Sequence, residues 1–180
     1  MANDANLFRT RKQLAQEGWI MEGNVHRKKE ERYLPLYEAK LFHQYDHRFA
    51  TFEDASVGDL KKGKARPVAP EEKTDPESVV LPRYWVPENE VNQRTASNKR
   101  ERERERERES SPGVGQTNPG LAFRQITNAT NERAGIFSMI PPFGLGHSGA
   151  LLLVGTSPFD VSLAPPIKEP RSSQSSQSSQ

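Results

Sequence analysis

At 180 residues the chain has room for one ordinary domain, yet 33% of it is hydrophobic and 28% charged, which argues against a core along its whole length. Even with its 12 glycines added, the apolar share reaches about 40%, below the ~45–50% of a typical globular domain. The 26 basic and 24 acidic side chains leave a net charge of +2, no overall electrostatic reason to expect a nucleic-acid binder, and the absence of cysteine excludes disulfides and thiolate metal sites.

The N-terminus, MANDANLFRTRKQ, lacks the apolar run of a signal peptide, and nothing approaches the ~20 apolar residues of a membrane span. A soluble cytoplasmic protein, with no membrane partner, is the expectation. Thr10-Arg11-Lys12-Gln13 reads as a capping box opening a short helix to about Glu17, with Gly18 placed to end it. Trp19-Ile20-Met21 reads as a strand, Glu22-Gly23-Asn24 as a turn, and Arg27 to Arg32 as a polar connection. Pro35 suits the first turn of a helix, along which Tyr37, Leu41, Tyr45, Phe49 and Phe52 recur at mostly fourfold spacing. His47 to Phe52 alternates equally well as a strand, so that boundary stays open.

Residues 56–78 are Lys, Glu, Pro and Gly with almost no apolar anchor, and read as a flexible insertion. Residues 79–87, VVLPRYWVP, are apolar and bracketed by prolines, and predict an extended segment pressed onto a core rather than a central strand. RERERERERE at 100–109 is neutral and pairs weakly on a helix, so 94–118 reads as a charged solvated linker. Leu121 to Ile126 and Ala134 to Ile140 predict two strands of a hairpin-like unit. The tail, 155–180, ends in SSQSSQSSQ, which cannot form a core. The expected class is α+β: an incomplete domain of short helices and a small sheet, interrupted by disordered linkers and a disordered C-terminal tail. Its blocks are 1–55 (helix-strand-helix), 56–78 (insertion), 79–93 (extended), 94–118 (linker), 119–154 (strand-turn-strand) and 155–180 (tail).

Three constellations invite a chemical reading. His43 and His47 stand at i and i+4, the spacing of helical metal ligands, but Gln44 stands where a metalloprotease has its general base. No third ligand is evident, so no metal is expected. Gly144, Gly146 and Gly149 complete G-x-G-x-x-G, yet Pro141-Pro142 precede them, a strand rather than a helix follows, and no acidic ribose partner lies about 20 positions on. Ile140-Pro141-Pro142-Phe143 differs by one residue from the Asn/Asp-Pro-Pro-aromatic string of amino-methyltransferases. There the polar residue accepts a hydrogen bond from the extruded base's amine while the aromatic stacks on that base. Ile140 has no atom with which to accept that bond, so no catalytic, cofactor-binding or metal residue is expected in this chain.

Taken together, LFRTRKQLAQEGW, EGNVHRKKEERYLPLYEAKLFHQYDHRFATFE, VVLPRYWVPENEV and LAFRQITNATNERAGIFSMIPPFGLGH resemble, in content and order, large adenine-specific DNA methyltransferases of bacterial restriction-modification and phage-defence systems. The likeness covers roughly residues 7–54, 79–91 and 121–153; RYLPLYEAK, PRYWVP and FRQITNATNER carry its specificity. It departs from the family's pattern at Gln125, Ala134 and Pro142, and stops after Val154. The resemblance implies the region downstream of the catalytic fold, leading toward the target-recognition domain. The parent enzyme would use S-adenosylmethionine to methylate adenine, while this chain would lack the cofactor loop and catalytic motif and be inactive alone. Its partners would be DNA, through the parent enzyme, and the missing catalytic core and target-recognition domain. Lys40, Arg48, Arg83, Arg124 and Arg133 become candidate phosphate contacts, and Tyr37, Tyr84 and Trp85 candidate domain-interface aromatics, with core packing as the alternative for the aromatics and pairing with Glu132 or another carboxylate as that for Arg124 and Arg133. A non-catalytic module that docks on a separately encoded methyltransferase core is the second reading.

Overall fold

The computed structural model describes residues 4–94, 120–125, 135–154 and 161–164. It is α+β, with short helices and small, mainly antiparallel sheets. Helix α1 (Arg11–Gln16) starts as its sequence dictates: Gln13 N–H donates to Thr10 Oγ1 (3.3 Å) and Thr10 N–H to Gln13 Oε1 (2.9 Å). Gly18, at φ +77°, closes it, with Gly18 N–H on Ala15 O and Trp19 N–H on Leu14 O. Strands β1 (Ile20–Glu22) and β2 (Val25–Lys28) form a hairpin across Gly23, and a second tight turn at Lys29 leads into β3 (Glu31–Tyr37). The expected polar connection at 27–32 is therefore strand, turn and strand. Its charged side chains stand exposed on a hairpin, where burial imposes no alternation, so the sequence pattern is silent there.

The helix expected from Pro35 is also replaced. Leu34, Pro35, Leu36 and Tyr37 are all buried, because β3 is packed on both faces; the apparent fourfold repeat comes from a strand, a 3-10 turn (Ala39–Leu41) and irregular chain beyond. β3 pairs with β6 (Trp85–Pro87), and Leu36 N–H donates to Tyr84 O at 3.0 Å. Pro35 falls between the hydrogen-bonded positions of that ladder. On the other side it falls between the β2 pairing, which ends at Tyr33, and a later strand that begins at Leu36, so its missing N–H breaks nothing. The extended reading of 79–87 holds, with Val80, Leu81 and Val86 buried and the outer edge of Trp85 met by a single bridge to Arg9.

The 56–78 segment has elements of its own, correcting the flexible insertion. Strand β4 (Ala50–Thr51) pairs with β5 (Arg66–Pro67), flanked by α2 (Val57–Lys62) and α3 (Pro70–Thr74). Ser56 Oγ caps α2 by accepting from Asp59 N–H (3.1 Å), and Gly63 at φ +64° ends it. Glu72 reaches back to Ala69 N–H (2.7 Å) at the start of α3 and pairs with Arg66. The Arg66 bond, then that backbone bond, hold its carboxyl down to about 2. Residues 88–94 are helical, correcting the extended reading of 79–93 beyond Pro87.

A second sheet runs in the order β11-β10-β7-β8, from β7 (Gly120–Arg124), β8 (Phe137–Ile140), β10 (Gly149–Val154) and β11 (Val161–Ala164), with β9 (Gly144–Leu145) lying parallel to the end of β3. The expected hairpin-like pairing of 121–126 with 134–140 appears as β7–β8. β11 falls in the tail expected to be disordered. RERERERERE, the rest of the charged linker beyond Arg94 and SSQSSQSSQ lie outside the described residues. The sheets meet in one core, where Tyr37, Leu41, Phe42, Phe52 and Val80 pack with Ala122, Ile140, Leu145 and Leu151. No helix among the described residues is long and apolar enough to cross a membrane.

Candidate functional site

The densest polar cluster starts from one carboxylate inside an apolar run. Glu38 follows β3 in LPLYEAKLF, and its side chain is 2% exposed. Lys40 Nζ lies 2.9 Å from Oε2, and Arg83 Nε lies 3.2 Å from Oε1 in ion-pair rather than hydrogen-bond geometry, both atoms buried. The same two cations reach the C-terminal end of α2: Lys40 Nζ donates to Gly63 O (2.8 Å) and Arg83 Nη1 to Leu60 O (3.2 Å). A helix C-terminus with unsatisfied carbonyls is where cations bind favourably. Phe52 lies under both, at 5.8 and 5.9 Å, and the Arg83 guanidinium stacks at 4.8 Å on Tyr84. Gly63 is needed for its φ of +64°, whereas a Cβ there would meet only the mobile ends of Lys40 and Arg83.

Arg48 does the same work at the other end of the segment. Nη1 donates to Asp75 O (3.0 Å) and Ser78 O (3.2 Å), and Nη2 to Lys73 O (2.7 Å). Lys73 Nζ answers with an ion pair to Asp46 at 2.6 Å. Arg124 donates from both Nε and Nη2 to Phe42 O and lies over the rings of Phe42 and Phe49; burial pushes its pKa down. Four of the five candidate phosphate contacts thus hold parts of the fold together, and Arg133 lies outside the described residues. Lys40, with 41% of its side chain exposed and a third N–H beyond these two partners, keeps capacity for another acceptor.

The candidate aromatics divide. Tyr37 and Trp85 are 1% exposed and belong to the core. The Tyr37 phenol is pushed far up by burial, Arg48 opposing only in part. Tyr84 is half-buried between Phe8 (5.8 Å) and Arg83. Residues 43–47 form a tight turn rather than a helix: His43 N–H binds Asp46 O (2.8 Å), and Tyr45 takes φ +59°. The i, i+4 histidines therefore lose the geometry that made them interesting, and no group of three metal-capable side chains occurs among the described residues. Ile140 ends β8 opposite Gly120 at 1% exposure, while Phe143 packs on Tyr37 (5.9 Å). The IPPF string is a strand end and turn. Gly144 pairs with Leu36, and Gly149 opens β10 with the Leu145 side chain 3.1 Å from its would-be Cβ. This is strand, turn and strand, with no helix N-terminus to receive a cofactor's anionic group, so these residues do not fit one.

One surface went unread in the sequence. The register Leu121↔Met139 and Phe123↔Phe137 sets these four side chains on the sheet face opposite the buried Ala122, Ser138 and Ile140. Met139 is 50% exposed and Phe137 37%; Tyr45 beside them, whose N–H binds Phe137 O, is 85% exposed. The apolar residues at every second position of β7 and β8 were visible. Which set faces the core was not. Glu38 was missed too, although a lone carboxylate inside LPLYEAKLF was the available signal. Compared with known families, curated proteins and solved structures, the chain matches none.

Proposed function

We propose that the chain is a connector part of a site-specific, S-adenosylmethionine-dependent adenine DNA methyltransferase of a restriction-modification or phage-defence system, inactive in methyl transfer by itself. In this reading the cofactor loop and the polar-Pro-Pro-aromatic motif belong to a catalytic core outside this chain, which works on DNA in the cytoplasm. The supporting observation is that the strings carrying the resemblance converge in space. RYLPLYEAK supplies most of β3, and PRYWVP supplies β6, its ladder partner. FRQITNATNER begins in β7, where Arg124 grips the Phe42 carbonyl just past RYLPLYEAK. Of the described candidates, Lys40 keeps a free N–H to offer a DNA phosphate, setting register rather than reading sequence.

The apolar face around Leu121, Phe123, Phe137 and Met139 favours a second reading, a non-catalytic module that docks on a separately encoded methyltransferase core. Mixing the full chain with the product of the neighbouring gene and assaying adenine methylation tests the first reading. Activity that needs both components supports it; undiminished activity of the neighbour alone favours the docking module. Titrating S-adenosylmethionine into the chain alone should give no heat of binding, and micromolar affinity would overturn both.

A further inference from the structure

His26 is the one buried histidine among the described residues. Its side chain is 1% exposed, its Nδ1 has no hydrogen-bond partner, and its ring stands edge-on to Trp85 at 4.9 Å and 87°. Trp85 is in turn the hub of this corner: it packs with Leu14 and Leu81, donates its indole N–H to Asn24 O (2.7 Å), pairs with Pro35 and bridges to Arg9. We infer that His26 makes the docking of α1 and the β1–β2 hairpin onto β6 pH-dependent, docked while the ring is neutral and released when it takes a proton.

The groups around the ring offer a proton nothing. On α1 the charge acting on it is Arg11, of the wrong sign. On β1, Glu22 is held by Arg27 at 2.8 Å. On β3 the cross-strand partner is Tyr33, a phenol whose own ionisation burial opposes, and Arg32 is taken by Glu88. On β6 the facing residue is Trp85, and Asn24 gives its side-chain N–H to Val80 O (3.1 Å). Arg9 pairs with Glu17 at 3.5 Å. A buried imidazolium in this setting is a charge without a counter-ion, and its Nδ1–H is without an acceptor. Burial first, then Arg11, lower the ring's pKa from its ordinary 6.5. The contribution to docking is therefore complete above 6.5 and is lost as pH falls through the lower folded value.

The test uses the full chain. The His26 Cε1–H resonance, assigned with His26→Gln, should titrate well below 6.5 in the folded protein, each unit of depression meaning a tenfold preference of the docked state for the neutral ring. Trp19 and Trp85 both sit in this corner, so their emission should shift over the same pH range. His26→Phe, which keeps an aromatic ring without a proton site, should abolish that emission change. His47→Gln should retain it, although burial also lowers the His47 pKa. Titration of His26 at or above 6.5, or an unchanged acid transition in His26→Phe, would overturn the inference. The wild-type titration decides even if a variant fails to fold.

Discussion

Residues 56–78 bring one buried hydrophobic side chain, Val68, to the protein, whereas the described residues from β7 to β10 bring Ala122, Ile136, Ile140, Leu145, Ala150 and Leu151. The first region is attached by caps and by cations on backbone carbonyls: Lys40 on Gly63, Arg83 on Leu60, and Arg48 on Lys73, Asp75 and Ser78. The second is attached by apolar area and has some to spare on its outer face. The difference teaches that a chain segment with few hydrophobic anchors can still be ordered when its neighbours supply donors. It also shows that basic residues in an otherwise neutral protein have internal uses that compete with any nucleic acid. A charged anchor is local and directional, so deleting one donor should cost more than its area suggests.

The sharpest way to break the comparison is at Ile140. Ile140→Asn restores a complete Asn-Pro-Pro-Phe string, yet it should destabilise the protein by about 4 kcal/mol in urea unfolding, because it puts an amide into a packed apolar site. No labelled methyl should appear on oligonucleotides; transfer by this variant would mean that the string is a dormant active site. Next in size is Glu38→Leu, which leaves Lys40 and Arg83 facing each other and should cost about 3 kcal/mol. High salt should recover part of that loss, while Ile140→Asn should show no such recovery, and equal salt responses would erase the distinction between the regions.

Arg48→Met removes three donors at once and should cost about 2 kcal/mol, less than their sum because water reaches the carbonyls. Amide exchange is the better readout here: protection should fall in 69–78 and remain in β7–β10. Smallest is Met139→Lys on the outer sheet face, expected to change stability by no more than about 0.5 kcal/mol. If the docking reading is right, the same change should weaken binding to a methyltransferase core. A large loss of stability in the isolated chain would instead show that the face is covered by this chain itself.

Local chemistry made part of this fold legible. Thr10, Gln13 and Gly18 were read correctly because a capping box and a left-handed terminus involve groups within a few residues of one another. The β7–β8 pairing and the extended 79–87 segment followed from alternation and from proline's missing donor. What failed were the inferences that needed to know a neighbour distant in the chain. The fourfold spacing from Tyr37 to Phe52 looked helical because burial on both faces of β3 erases the strand's period. The 56–78 segment looked unanchored because its anchors are cations 23 to 30 residues away in the chain. Lys40, Arg48, Arg83 and Arg124 were named as candidate phosphate contacts from the resemblance, and only the folded backbone determined which carbonyls they also meet. Composition and short-range spacing thus determined the class and the helix ends, since those energies are local. The roles of Glu38 and His26, and the exposure of the Phe137–Met139 face, were decided by tertiary contacts, since desolvation depends on what arrives from the rest of the chain.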